Sequence, residues 1–329
     1  MLVNVMSARL RPYLILGTVV VVFTLLDRSN FFGTATVYSS FQMFAAFGLV
    51  ALGLGLTMII GEFDLSVAGV YGLAGCVAVL AGNENATLGI ACAVLVGAFF
   101  GFLQGVVVTK LSVGSVPVTL GGLLTATGCA YVVTQNDTLS FDNMELALAL
   151  NDQVAGVFSP RSLVSFGIFL AVAITIFSTR LGRDLIATGS DRRAAMTSGV
   201  PVDRIVIGTF MFSGALAAIS GALLSYGLAS AAPTGLSEVM VPAIAATILG
   251  GVSLSGGVGT PLGIAAGVLT LTVLRSGLNA LSAPPWSHQV ATGLVLVAVA
   301  VADAPYLSRA FRRLRILLGT SHEMTSNAK

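Results

Sequence analysis

RLGRDLIATGSDRRAAMTSGVPVDR, residues 180–204, is the one long hydrophilic interruption in an otherwise oily chain, and it decides how the rest is read. It holds five arginines and three aspartates, and it lies between two long apolar segments. A short helix is predicted over Asp191 to Ser198. Ser190 or Asp191 can accept hydrogen bonds from the first free N–H groups, Ala194 and Ala195 are good helix formers, and Gly199 followed by Pro201 stops the run. Two turns are marginal in water without packing. The stretch therefore reads as a knob that needs a partner surface, with an ordinary surface loop carrying a helical turn as the alternative.

Composition says what surrounds it. Of 329 residues, 56% are hydrophobic and 9% charged, 38 are glycine, and the mean hydropathy is +0.95. A soluble domain carries about 25% charged residues, so this chain could not cover its own surface in water. It reads as an all-α polytopic membrane protein and, over residues 1–329, as a single transmembrane domain. Cys76, Cys92 and Cys129 each stand alone in apolar runs and read as small core residues. His288 is expected in a loop and His322 in the tail, too far from acidic clusters to suggest a metal site.

Apolar runs near the length needed to cross about 30 Å of hydrocarbon fall at Tyr13–Leu26, Tyr38–Ile60, Leu65–Ala81, Thr87–Val108, Val113–Thr134 and Ser162–Ser178. After the arginine-rich stretch come Ile205–Ala229, Val241–Ser255, Val258–Leu278 and Gln289–Ala302. With the N-terminus in the cytoplasm, these ten crossings place thirteen of the sixteen Lys and Arg residues inside, including 180–204 and the basic tail 304–329. That asymmetry is what orients membrane proteins, and it puts both termini in the cytoplasm. Arg28 and Arg161 fall outside. The loop Gln135–Arg161, also outside, is predicted to carry a short helix around Met144–Leu150.

Small residues recur every four positions at Gly97, Gly101 and Gly105 and at Ser213, Ala217, Gly221 and Ser225, a spacing that lets helices approach closely in lipid. GEFDLS at 61–66 and GGVSLS at 250–255 share a Gly with Leu-Ser four residues on, a hint of an internal repeat. Glu62 and Asp64 fall at one inner-side turn, where water-exposed capping or interfacial roles are expected rather than a proton path. The candidates for lining a pore are Thr57, Gln104, Thr125, Thr127, Thr270 and Thr272, with Arg275 and Asn279 nearer the outside. No P-loop is present, since neither lysine, Lys110 or Lys329, follows a glycine-rich turn. Nor is there a nucleophile elbow, a zinc-binding helix or a dinucleotide fingerprint.

Three blocks carry a resemblance. TMIIGEFDLSVAGVYGLAG is similar to the Gly-Gly-Ile-Asp-Leu-Ser-Val-Gly signature of permease subunits of ribose-type ABC importers, matched at Gly61, Asp64, Leu65, Ser66 and Val67. ATGSDRRAAMTSGVPVDR resembles that family's cytoplasmic coupling segment at Gly189, Ala194, Ala195 and Gly199. VPAIAATILGGVSLSGGVGTPLGIAAGVL resembles its third block at Gly250, Gly251, Ser253, Leu254, Ser255, Gly256, Gly257 and Gly259. Glu62 and Phe63 stand where the family usually has Gly and Ile, and Ser190 or Asp191 stands near its usual Asn.

The resemblance implies a type II importer permease in a bacterial inner membrane with no catalytic residue and no bound cofactor or metal. ATP and Mg would be held by separate ATPase subunits. A second permease, identical or a sister chain, would complete the pore within the lipid, an external or periplasmic binding protein would deliver cargo, and nucleic acid plays no part. Gly189, Ser190, Asp191, Arg192, Arg193, Ala194, Ala195 and Gly199 would form the contact with the ATPase. Gln104, Thr125, Arg275 and Asn279 are candidates for pore lining or docking. A neutral sugar or polyol is the expected cargo, because none of the six deeper polar side chains is charged. The alternatives are a branched-chain amino-acid permease and an ion-coupled secondary transporter.

Overall fold

The computed structural model describes residues 2–26, 33–233 and 239–303. Its helices are α1 (Leu2–Leu26), α2 (Thr34–Ile59), α3 (Val67–Gly82), α4 (Ala86–Lys110), α5 (Ser115–Thr134), α6 (Met144–Ala149), α7 (Pro160–Ser178), α8 (Arg180–Ser190), α9 (Arg192–Thr197), α10 (Val202–Gly227), α11 (Met240–Leu249), α12 (Pro261–Ala280) and α13 (Pro285–Asp303). Two two-residue strands, β1 (Leu139–Ser140) and β2 (Ser230–Ala231), pair antiparallel. Each of the ten apolar runs contains a helix. Among the described residues six of these helices (α2, α4, α5, α7, α10 and α12) are long and apolar enough to cross a membrane. The chain is a multi-pass membrane protein.

Three expectations are corrected here. The run Val241–Ser255 is helical only over the ten residues of α11, about 15 Å at 1.5 Å per residue, so α11 alone does not cross. Gly250 to Gly259 break it, four of them with positive φ. The helix expected to start at Val258 starts instead at Pro261, capped by the Thr260 hydroxyl on the Gly263 amide. His288 lies in the first turns of α13 rather than in a loop. The basic tail from residue 304, with His322, is outside the described residues.

By internal contacts the chain divides into two units, Met1–Pro284 and Pro285–Lys329. The second contributes α13. In the first, α2, α3 and α10 form the centre: Phe44, Leu49, Leu52, Tyr71, Phe210 and Tyr226 are all fully buried. α4 packs along α10 through its glycines. A Cβ on Gly97 would stand 2.3 Å from the Gly214 carbonyl oxygen, and one on Gly101 2.1 Å from that of Phe210. Backbone contact this close is what small residues at four-residue spacing provide in lipid.

The loop between α5 and α7 is fastened to the bundle. β1 pairs with β2, Phe141 stacks on Tyr226 at 4.3 Å, and the Asn151 amide donates to the Gly227 carbonyl at 2.7 Å. Arg161 is buried; its guanidinium donates to Gln42 Oε1 at 2.7 Å and to Asn151 Oδ1. α6 forms as expected, with the Asn143 side chain capping it.

Candidate functional site

The arginine-rich stretch folds as two helices, not as a loop with one. α8 buries Gly182, Leu185 and Thr188 on one face, a spacing of three that is visible in the sequence once the stretch is tested for helical period. Asp191 then leaves the helical conformation, and its Oδ1 accepts from the amides of Arg193 at 2.9 Å and Ala194 at 3.1 Å, starting α9. Of the two candidate caps Asp191 is the one used, while the Ser190 hydroxyl donates back to the Ile186 carbonyl. Gly199, at φ +84°, ends α9: its amide reaches the Met196 carbonyl and that of Val200 reaches Ala195, both at 3.0 Å. This paired closure by a left-handed glycine is the Schellman arrangement.

Among the described residues glycine makes the same closure twice more. At the end of α2, Gly61 (φ +80°) donates to Met58 and Glu62 to Thr57; at the end of α11, Gly251 (φ +76°) donates to Ile248 and Val252 to Thr247. The resemblance between GEFDLS and GGVSLS is therefore one of backbone geometry. Its register pairs Gly61 with Gly251, one position away from the pairing made by the shared Leu-Ser.

The turn at the end of α2 and the loop after α11 meet at Gly189. The Gly257 amide donates to the Ile59 carbonyl at 2.8 Å. A Cβ on Gly189 would stand 1.8 Å from that same carbonyl oxygen, and a Cβ on Gly256 would stand 2.7 Å from the Gly189 oxygen and 2.8 Å from Gly61 Cα. All three sequence blocks thus meet in a junction of backbone against backbone. Gly189, Gly256 and Gly257 are needed because no side chain fits, and Gly61 because its φ is +80°.

Asp64, expected where water reaches, is instead 1% exposed. Its Oδ1 accepts from the Ser66 amide at 3.1 Å and the Ser66 hydroxyl at 2.6 Å, and its Oδ2 from the Ser213 hydroxyl at 2.9 Å. A buried carboxylate so provided for ties the turn after α2 to the middle of α10, whereas one left without donors would cost more than the roughly 1–3 kcal/mol of an ordinary unsatisfied group. Leu65 and Ser66 complete the turn into α3. Ser253 and Ser255 make a local turn of their own, the Ser253 hydroxyl accepting from the Ser255 amide at 3.1 Å, and Leu254 is exposed.

Arg192 and Arg193, adjacent in sequence, have different surroundings. Arg192 forms an ion pair with Glu62, while Arg193 is exposed with Ala194, Met196 and Thr197. Ala195 is buried against Ile60, Val108, Leu185, Val202 and Val206. α9 therefore turns Arg192 and Ala195, one helical turn apart, inward and leaves the remaining face open. Beside it a cavity of about 300 Å³ is lined by Glu62, Val108, Val113, Met196 and Asp203 among others. At its edge Lys110 pairs with Asp203 at 2.7 Å.

The pore candidates differ in their surroundings within the single chain. Thr57, Thr270 and Thr272 are fully buried, and each hydroxyl donates to a carbonyl of its own helix. Thr127 does the same toward Leu123. Gln104 is buried beside Gly122 on α5 with neither side-chain atom hydrogen-bonded. Thr125 is exposed on α5, Asn279 exposed near the end of α12, and Arg275 half-buried. Among the described residues no group of three His, Cys, Asp or Glu could hold a metal ion.

The family model described as "Branched-chain amino acid transport system / permease component" matches residues 36–300. The chain belongs to this permease family. The permease is 31% identical to the L-arabinose transport system permease protein of Escherichia coli K12 over 78% of each chain, and 31% identical to the ribose import permease protein of the same strain over 83% of this chain and 87% of that one. It is also 31% identical to the autoinducer 2 import system permease protein of Yersinia pseudotuberculosis, over 88% of this chain and 83% of that one. No solved structure matches the permease significantly.

Proposed function

We propose that this permease is the pore-forming subunit of an ABC importer for a sugar or related neutral polyol, driven by separate ATPase subunits that meet the exposed face of α9. The observation that carries the substrate class is the 31% identity to permeases named for arabinose and ribose, sustained over most of both chains. The geometry supports the division of labour. α9 is too short to hold itself together, yet it is capped, terminated and seated so that Arg193, Ala194, Met196 and Thr197 face outward. In this reading the chain binds no ATP, metal or other cofactor, both termini and 180–204 are cytoplasmic, and a binding protein docks on the opposite face. The translocation path forms between two permease copies.

The test is a purified assembly of permease, ATPase and binding protein in lipid, titrated with binding protein charged with D-ribose, L-arabinose or L-leucine. Stimulation of ATP hydrolysis and uptake by a pentose is expected. Stimulation by leucine alone would transfer the permease to amino-acid transport. Uptake that proceeds without ATPase subunits would make it an ion-coupled carrier.

A further inference from the structure

We propose that the Glu62–Arg192 ion pair is the link through which movement of α9 reaches the transmembrane helices, with Glu62 as a positioning residue for energy coupling. The proposal rests on the reading above that α9 meets the ATPase subunits.

α9 has two inward anchors, Ala195 and Arg192. The first is a single methyl group in an apolar cluster, and apolar packing is non-directional, so it resists sliding weakly. The second is a guanidinium, 40% exposed, on a carboxylate whose side chain is 10% exposed, and charge-assisted hydrogen bonds of this kind fix direction as well as distance. Removing the carboxylate leaves α9 attached through its covalent neighbours and Ala195.

What Glu62 is joined to makes it a junction. Its own amide donates to Thr57, in the last turn of α2, at 2.9 Å. The amide of Phe63 donates to the Ser115 hydroxyl at 3.0 Å and its carbonyl accepts from Thr119 at 3.0 Å, both on α5. Asp64 accepts from Ser213 on α10. Within three consecutive residues the turn therefore grips α2, α5 and α10, and Arg192 holds that turn from α9. The neighbouring charges, Lys110 and Asp203, satisfy each other and do not compete for the pair. The cavity of about 300 Å³ beside the pair leaves room for α9 to shift without displacing packed core. Their pairing could not be read from the sequence, since the two residues are 130 positions apart.

The experiment compares the complete assembly, with the binding protein charged with whichever pentose stimulates it, for the wild type, Glu62→Gln, Arg192→Gln and the exchange of Glu62→Arg with Arg192→Glu. Three quantities are read: co-purification of ATPase subunits, basal ATP hydrolysis, and solute imported per ATP hydrolysed. Import per ATP is expected to fall about five-fold in each single variant, with assembly and basal hydrolysis retained in Glu62→Gln, and the exchange is expected to recover most of that loss. Single variants that couple like the wild type overturn the proposal, as does an exchanged pair that couples no better than they do. If a single variant fails to accumulate, the exchange decides alone: recovery to near wild-type coupling supports the link, and failure to couple overturns it. Failure of α9 itself as the contact would show differently, as a wild-type Met196→Cys permease that assembles and transports yet gives no cross-link to an ATPase subunit.

Discussion

The backbone amide of Gly257 donates to the carbonyl of Ile59 at 2.8 Å. The last carbonyls of a helix have no partner within it, and here one from α2 is satisfied by a segment nearly 200 residues away. Gly189 lies against the same carbonyl, so the junction joins the first and third blocks and seats α8 upon them.

That closeness makes Gly189 intolerant of a side chain. Gly189→Ala would place a methyl group 1.8 Å from the Ile59 oxygen, and overpacking of this kind costs about 1–3 kcal/mol or more. Gly208→Ala is the control, since a Cβ there meets nothing within 4 Å and alanine favours a helix by about 1 kcal/mol over glycine. Thermal unfolding in detergent should show a drop of several degrees for the first, at about 2–4 °C per kcal/mol, and no drop for the second. Equal melting temperatures would contradict the junction.

The Asp64–Ser213 contact should behave as a coupled pair. Asp64→Asn puts an NH2 donor in place of one of two oxygens that both accept hydrogen bonds, and Ser213→Ala removes the hydroxyl that donates to Asp64 Oδ2. Each is expected to destabilise by about 1–3 kcal/mol, and the double variant by less than their sum, because the contact is lost only once. Additive losses in a double-mutant cycle would show that the two residues act separately.

Arg161 should govern the order of the loop before α7. Arg161→Gln removes the guanidinium from Gln42 and Asn151 and leaves both side chains to find other partners. Protease added to the outer face of membrane vesicles is expected to cut within residues 135–159 several times faster than in the wild type, with α9 untouched, since such openings follow local stability. Unchanged cleavage would mean that β1–β2 and Phe141 suffice to hold the loop.

Labelling should separate the two faces of α9. With Cys76, Cys92 and Cys129 replaced, a cysteine introduced at Met196, which is 52% exposed, is expected to react rapidly with a water-soluble maleimide, and one at Ala195, 4% exposed, slowly. Assembly with ATPase subunits should protect position 196. Labelling that is equally fast at both positions would remove the inward anchor of α9.

Much of the fold was legible because its signals are local. Ten apolar runs each contain a helix, α6 stands within a residue of the stretch expected for it, and α9 within a residue of where its cap and stop put it. The extent of α11 was not legible, because hydropathy runs on through Gly250 and Gly251 while their φ values end the helix. α8 was read as loop because its buried face is narrow, Gly182, Leu185 and Thr188, among charged neighbours. Asp64 was misplaced because hydropathy reports a charge, not the serines that receive it.

The sequence by itself determined that this is a helical, multi-pass membrane protein with three glycine-rich blocks and a capped, terminated hydrophilic helix, because apolar length, helix capping and left-handed glycines act over a few residues. Only the tertiary structure decided that the three blocks form one junction, that Arg192 turns inward to Glu62 while Arg193 does not, and that Arg161 and Asp64 are buried. Those facts depend on which backbones approach each other across tens to hundreds of residues. That approach is set by the packing of whole helices, which no local pattern records.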